Sequence, residues 1–387
     1  MALEITDKKV EDKNVVFTLS DIMQVLIDGE DYGQLKEDYS DREIVSLYEE
    51  KEIKHKITDR ELVYVSKESG IPLRGHIAFG LIDRGTNLIQ ARPITGCNLN
   101  CVFCSVAEGP RSKKLKTDYL VDPDYLIEEL EKMVEEKGVG VEVHIDGQGE
   151  PGFYPWLEEL AKEASKMNKV EVVSMQTNGL PFSKEDIEDL EPYLSRINLS
   201  LSSLDSTTAK ALAAVKDYNP NHLKNIASKI VESDIDLLVA PVWLPDWNDE
   251  EMEKIIEYTL DLVEESRWPR LGLQKFISYR SGRDPKAEEM TFHQFYKQLR
   301  KWEEKYNVVL DLSPRDFNIV KRDLPEKKFE ENERVNARIV APGRKNGEMI
   351  ARKRERSIAV KTDKNLDDRI NLRITRTKHD IYHGVEE

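Results

Sequence analysis

All three cysteines of this 387-residue chain lie within eight positions: Cys97, Cys101 and Cys104, in the run Thr-Gly-Cys-Asn-Leu-Asn-Cys-Val-Phe-Cys that begins at Thr95. Thiolates are strong ligands for iron and zinc, so this cluster points to metal chemistry. An odd, tightly spaced set makes a poor disulfide framework, and three thiols are one short of a fully cysteine-ligated tetrahedral site. A metal centre with one open position binds and activates a ligand, whereas a closed one holds the fold or carries electrons. Two plainer readings stay open: a zinc knuckle completed by histidine, and three unreactive buried thiols. None of the seven histidines (His55, His76, His144, His222, His293, His379 and His383) follows the cysteines at zinc-finger spacing. Spectator thiols are expected to scatter through a core rather than gather on one turn.

The C-x3-C-x2-C spacing, with an aromatic residue before the last cysteine, resembles the signature of the radical SAM enzymes. The resemblance implies that Cys97, Cys101 and Cys104 hold three irons of a 4Fe-4S cluster. The fourth iron takes the amino and carboxylate groups of S-adenosylmethionine. One electron, from a reductant such as ferredoxin or flavodoxin, then releases a 5′-deoxyadenosyl radical. Phe103, between two ligands, is expected to shield the cluster or touch adenine.

Further cofactor residues follow from the same resemblance. Gly147, Gly149 and Glu150, in Ile-Asp-Gly-Gln-Gly-Glu-Pro, are similar to a Gly-Gly-Glu-type motif that receives the methionine amino group, where glycines let backbone approach a ligand. Asn178, in Thr-Asn-Gly, matches a turn beside the active site. Ser200 and Ser202 alternate with Leu199 and Leu201 and share a polar face with Asn198, placing them as partners of the cofactor's ribose and carboxylate. Ser203 departs from the family, which commonly has an acidic residue there. Trp243 and Trp247 are candidates to stack on adenine or a base, or else are structural. The catalytic acid or base is unassigned; His144 and Asp146 share a strand face and are candidates.

These residues need a scaffold that gathers strand ends. From 87 to 315, β-type runs at 87–93, 141–147, 170–176, 196–202, 236–242 and 271–277 alternate with helical patterns at 123–137, 156–166, 184–194, 222–232, 250–265 and 292–306. Such alternation implies parallel strands with right-handed crossovers, with sites at the carboxyl ends of the strands. The expected fold is α/β, a partial (β/α)6 TIM-type barrel resembling the radical SAM core. It carries an N-terminal α+β extension (1–86), a linker (316–330) and a small OB-like β-barrel (331–387). The extension reads as a scaffold or lid, with a short apolar helix around 19–27 and a strand pair at 62–66 and 76–82. Five short strands are expected after the linker, at 334–340, 347–352, 357–360, 369–375 and 380–384.

Charge is divided unevenly. The whole chain is −16, but residues 331–387 carry 14 basic against 10 acidic side chains, a net of +4 that leaves −20 elsewhere. This tail resembles the TRAM domain of RNA-modifying enzymes, and small basic barrels track nucleic-acid backbones. Its candidate RNA contacts are Arg344, Lys345, Arg352, Lys353, Arg354, Arg373, Arg376 and Lys378. Arg111, Lys113, Lys114 and Lys116 after the cysteines, with Arg280 and Arg283, either line a substrate rim or form solvated surface.

The expected function is a radical SAM enzyme that modifies a base in tRNA or another structured RNA. Action on a peptide or small molecule, and a non-catalytic iron–sulfur or zinc RNA-binding protein, are the alternatives. Methylthiotransferases and relay-thiol methylases both need cysteines beyond these three. The first twenty residues are rich in charge, and the longest apolar run, 237–244, is broken by Pro241, so neither a secretory leader nor a membrane partner is expected. A cytoplasmic setting, where thiols stay reduced, is the simplest location.

Overall fold

The computed structural model describes residues 3–48, 53–322 and 327–387. Strands β1 (Ile5–Glu11), β2 (Asn14–Leu19) and β3 (Met23–Asp28) form an antiparallel meander, followed by helices α1 (Gly29–Leu35) and α2 (Asp41–Tyr48). The apolar helix expected around 19–27 is therefore a strand. Met23, Val25 and Ile27 are buried while Gln24 and Leu26 are half-buried, a period of two that a short apolar run conceals. Strands β4 (Ile53–His55) and β5 (Glu61–Val65) continue this sheet.

The expected strand pair does not form. β5 pairs with β4, while the second run shortens to β6 (Gly80–Asp83) and pairs antiparallel with β7 (Leu88–Arg92) in a different sheet. After the cysteine loop, β8 (Thr117–Val121) leaves the barrel and pairs parallel with β5, so the N-terminal sheet has the order β1-β2-β3-β4-β5-β8. The loop that holds the three cysteines is thus strung between two sheets.

The central sheet is then completed by alternating helices and parallel strands. Helix α3 (Pro123–Lys137) begins with Asp122 accepting from the Tyr125 N–H, has Pro123 at its first position and ends at Gly138 with φ +87°. It leads to β9 (Val141–Ile145), α4 (Leu157–Lys166), β10 (Val170–Thr177), α5 (Lys184–Leu190) and β11 (Arg196–Leu199). Helices α6 (Ser206–Ala213) and α7 (Pro220–Val231), β12 (Asp236–Val239), β13 (Val242–Trp243), α8 (Asp249–Leu262), β14 (Gln274–Lys275) and α9 (Phe292–Tyr306) follow. Sheet order is β12-β11-β10-β9-β7-β6, parallel from β7 to β12. The sixth expected strand is reduced to a parallel bridge from Leu271 to Val239 at the end of β12 and the two-residue β14, which pairs parallel with β13. β11 also stops at Leu199, so Ser200 and Ser202 lie just beyond a strand end rather than within it.

In the tail, β15 (Arg334–Pro342), β16 (Glu348–Lys353), β17 (Arg356–Lys361), β18 (Arg369–Arg376) and β19 (Tyr382–Glu386) close into a barrel of order β15-β16-β17-β19-β18, consistent with a small OB-like module. Residues 323–326 of the expected linker lie outside the described residues. The barrel docks on the extension: the Ser357 N–H donates to the Arg74 carbonyl (2.8 Å), the Ser357 hydroxyl to the Pro72 carbonyl (2.7 Å), and the Tyr382 N–H to the Gly75 carbonyl (2.9 Å). Among the described residues no helix is long and apolar enough to cross a membrane.

Candidate active site

The cysteine loop is pressed against the loop after β9 by backbone alone. Gly96, at φ +94°, bridges Gly149, and the Glu150 N–H donates to the Gly96 carbonyl at 2.8 Å. A Cβ on Gly149 would fall 2.5 Å from the Gly96 oxygen, and one on Gly96 would fall 2.4 Å from the His55 ring, so both positions demand glycine. On its far side the loop is pinned to the end of α6, where the Asn100 and Val102 N–H groups donate to the Ala213 and Leu212 carbonyls.

A cavity opens at these strand ends. Cys97, Cys101 and Phe103 line it from the cysteine loop, Gly147, Gly149 and Glu150 from the β9 loop, and Asn178, Ser200 and Ser202 from the next two strand ends. All seven expected cofactor residues and two of the three expected ligands therefore share one cavity. Cys104 sits beside it, its sulfur accepting the Glu108 N–H at 3.3 Å. Thr177 and Ser203, which the sequence motifs already touch, also line the cavity, as do Gln176, Leu212 and Tyr218, which escaped the sequence reading. Gln176 shares a strand face with Asn178, a signal that was available; Tyr218 comes from an unpatterned loop and carried none.

Buried Glu150 fastens the neighbouring strand end to this wall. Its carboxylate accepts from the Thr177 hydroxyl (2.5 Å), the Asn178 N–H (2.7 Å) and the Gly152 N–H (3.0 Å). Burial outweighs these three donors and pushes its pKa up to about 7. Asn178 continues the chain of contacts, its amide donating to Asn98 at 2.9 Å. The Ser200 hydroxyl accepts from Gln176 (2.8 Å) and that of Ser202 from the Val242 N–H (3.1 Å), which fixes both oxygens at the cavity wall.

The sulfur environment fits a cluster. Leu99 and Glu108 N–H groups donate to the sulfurs of Cys97 and Cys104, leaving those donors in place for thiolates. Burial pushes the Cys97 thiol up and that of Cys101 up to about 12, so their thiolates need a bound cation to be stable. Among the described residues no three His, Cys, Asp or Glu side chains converge at single-ion spacing.

Several candidates serve other ends. Asp146 is gripped by the Arg92 guanidinium (two contacts of 3.0 Å) and by Gln90 (2.6 Å), so it is a structural ion pair rather than a free base. His144 meets the Ser174 hydroxyl at 2.7 Å. Trp243 is buried against Trp302 and donates to Asp249, and neither it nor Trp247 lines the cavity. Arg283 clamps the cysteine loop through the Cys101 carbonyl (3.0 Å), and Lys114 reaches the backbone carbonyls of 280–282, so both are fasteners rather than rim cations.

The eight expected RNA contacts scatter. Arg344 is 3% exposed and ion-paired with Asp118 and Glu108, which removes it from any nucleic-acid surface. Arg352, Lys353 and Arg354 gather at the β16–β17 turn, where Arg352 pairs with Glu355 and Arg354 with Glu333. Arg373 pairs with Glu387, and Lys378 is exposed in the turn before β19. Lys345 and Arg376 line a second cavity, adjoining the first.

Comparisons with known proteins give the following likenesses. Residues 92–259 match the sequence profile of the Radical SAM superfamily. A functionally uncharacterized protein of Methanocaldococcus jannaschii is 41% identical over 354 residues, which cover 85% of this chain and 81% of that protein. A GTP 3′,8-cyclase of Petrotoga mobilis is 29% identical over 170 residues, 43% of this chain and 49% of the cyclase, so the chain spans about half of that relative. Among solved structures, Streptococcus suis SuiB aligns with a TM-score of 0.45 at 15% identity, over 79% of this chain and 70% of that one.

Proposed function

The chain belongs to the radical SAM superfamily, whose members bind a 4Fe-4S cluster and S-adenosylmethionine, and on that premise we propose that it modifies a nucleobase in tRNA or another structured RNA. The observation that carries this reading is the position of the basic tail barrel. The tail barrel is built against the exit of the cysteine loop, with Leu115 bridging Lys345 and the Lys116 N–H donating to the Arg344 carbonyl (3.0 Å). A barrel that tracks a nucleic-acid backbone would thus present residues to the second cavity, which adjoins the first at Gly147. The GTP 3′,8-cyclase relative, by its name, acts on a nucleotide, which is the same chemical class of substrate.

In this reading Cys97, Cys101 and Cys104 hold the cluster, and Gly147, Gly149, Glu150, Asn178, Ser200 and Ser202 frame S-adenosylmethionine. With both bound, and with one electron from a reductant such as ferredoxin or flavodoxin, the pair would supply radical chemistry able to abstract hydrogen from substrate. The protein's own work is positional. Glu150 ties two strand ends into one wall, Phe103 and Leu212 keep water from that wall, and Arg283 holds the loop closed.

Nucleoside mass spectrometry of total tRNA from cells with and without the gene tests the proposal. One modified nucleoside should vanish and return with the intact gene but not with a Cys101→Ala copy. An unchanged nucleoside profile would refute RNA modification.

A further inference from the structure

The second cavity, of about 480 Å³, lies within the usual size range of ligand pockets and shares Gly147 with the first. It forms where the extension, the cysteine loop and the tail barrel meet, and its charge is lopsided. Arg92 and Arg344 also reach it but are neutralised by Asp146 and by Glu108 and Asp118. Three more cations, Arg84, Lys345 and Arg376, have no carboxylate at ion-pair distance among the described residues. Glu348 is the only acid among the cavity's described lining residues, and its carboxylate accepts from the Lys345 backbone N–H.

Two details point to an anion site rather than loose surface charge. The Arg376 Nε is buried without a hydrogen-bond partner, an arrangement that costs stability unless a ligand completes it. Buried His76 accepts the Ala78 N–H at Nδ1 (3.3 Å), so in the neutral ring Nε2 carries the proton and is left as a donor at the cavity. Partial desolvation, with smaller contributions from Arg92 and Arg376 that Asp146 opposes, holds the Arg84 guanidinium below its ordinary pKa. Tyr279, 49% exposed at the same cavity, offers a ring face on which a base can stack.

We infer that this cavity binds a phosphate group of the substrate nucleotide, with Arg84, Lys345, Arg376 and His76 as its donors, and so seats the nucleotide one loop away from the radical's source. The inference rests on the proposed nucleotide substrate and adds where its phosphate sits. It also gives two of the expected RNA contacts, Lys345 and Arg376, a specific place of action.

The test uses full-length protein with sodium pyrophosphate as probe, read by calorimetry and by thermal melting. Pyrophosphate should bind once per chain and raise the melting temperature. Arg376→Gln and Lys345→Gln should each weaken it by about tenfold or more, since a charge-assisted hydrogen bond is lost. Without ligand, neither variant should melt lower than the parent, because each removes a mutually repelling cation. No pyrophosphate binding, or parental affinity retained in both variants, would overturn the site. Total tRNA is the second arm. Displacement of pyrophosphate by tRNA supports both proposals. Pyrophosphate binding that needs these residues, with no tRNA binding, keeps the cavity as a site for a free nucleotide's phosphate and removes the RNA reading. Binding of tRNA without pyrophosphate binding does the reverse.

Discussion

Arg344, in the tail barrel, drives its guanidinium into the body of the protein to meet Asp118, a carboxylate with no exposed surface. The same guanidinium reaches Glu108, the Thr95 hydroxyl (2.8 Å) and the Gln148 carbonyl (3.0 Å), while Arg60 from the extension grips Asp118 (2.9 Å) and Glu108 from the other side. Two cations and two anions from three segments therefore cancel in the interior, directly beside the cysteine loop. The barrel is not a detachable tail, since removing it would strand two buried carboxylates with one arginine.

The first prediction follows from that imbalance. Arg344→Met should destabilise the whole protein by about 3–5 kcal/mol, the usual result of removing one member of a buried pair. Urea unfolding of parent and variant measures this. Arg344→Lys should recover only part of the loss, because an ammonium cannot serve two carboxylates with a planar fork. A variant as stable as the parent would contradict the network.

Gly149→Ala tests the contact between the two loops. The added methyl meets Gly96 backbone at 2.5–2.8 Å, so a loop must move, at a cost of about 1–3 kcal/mol. Because the displaced segment carries Cys97, the variant should hold less iron after anaerobic reconstitution as well as melting earlier. Gly33→Ala in α1, with nothing within 4 Å, should leave iron content unchanged and stability equal or slightly higher. Equal iron content in the two variants would show that the glycine contact does not position the ligands.

How much of this was readable in advance depended on how local each signal is. Asp122, Pro123 and Gly138 bracket α3 with start and stop chemistry, and the expected 123–137 is the observed helix. Cysteine spacing and the Gly-x-Gly-Glu turn likewise announce themselves within ten residues. The strand β8 did not, because its partner β5 lies 56 residues earlier and nothing near Thr117 signals a change of sheet. Arg344 was misplaced for the same reason. In a basic stretch it looks like one more surface cation, and the acids that bury it stand 226 and 236 positions upstream. Long-range charge pairing leaves no periodicity to read.

Buried His76 should contribute to acid sensitivity, alongside buried His55. Burial, and then the neighbouring charges of His383, Arg344, Lys345 and Arg92, push the His76 pKa down to about 3, against about 6.5 in an unfolded chain. The folded state binds this proton less readily, so the stabilising term is fully present above pH 6.5 and is lost as pH falls from there towards 3. The slope it contributes approaches about 1.4 kcal/mol per pH unit within that window. In anion-free buffer, His76→Gln should flatten the stability profile between pH 6.5 and 4.5 relative to the parent. A parallel profile in the variant would mean that another group sets the acid limit.

Cys101→Ser separates metal ligation from packing. The serine is nearly isosteric, so a thiol that only fills space should be replaceable with little change in melting temperature or cofactor content. As a ligand it is not replaceable: an alkoxide is a harder and far more basic donor than a thiolate, and iron–sulfur clusters favour sulfur. Burial that already opposes ionisation of Cys101 opposes that of a serine more strongly. Anaerobically reconstituted parent protein should therefore carry about four irons per chain and its brown colour. The Cys101→Ser variant should lose most of both and fail to cleave S-adenosylmethionine with dithionite as the electron source. Retention of iron and cleavage by the variant would take Cys101 out of the ligand set.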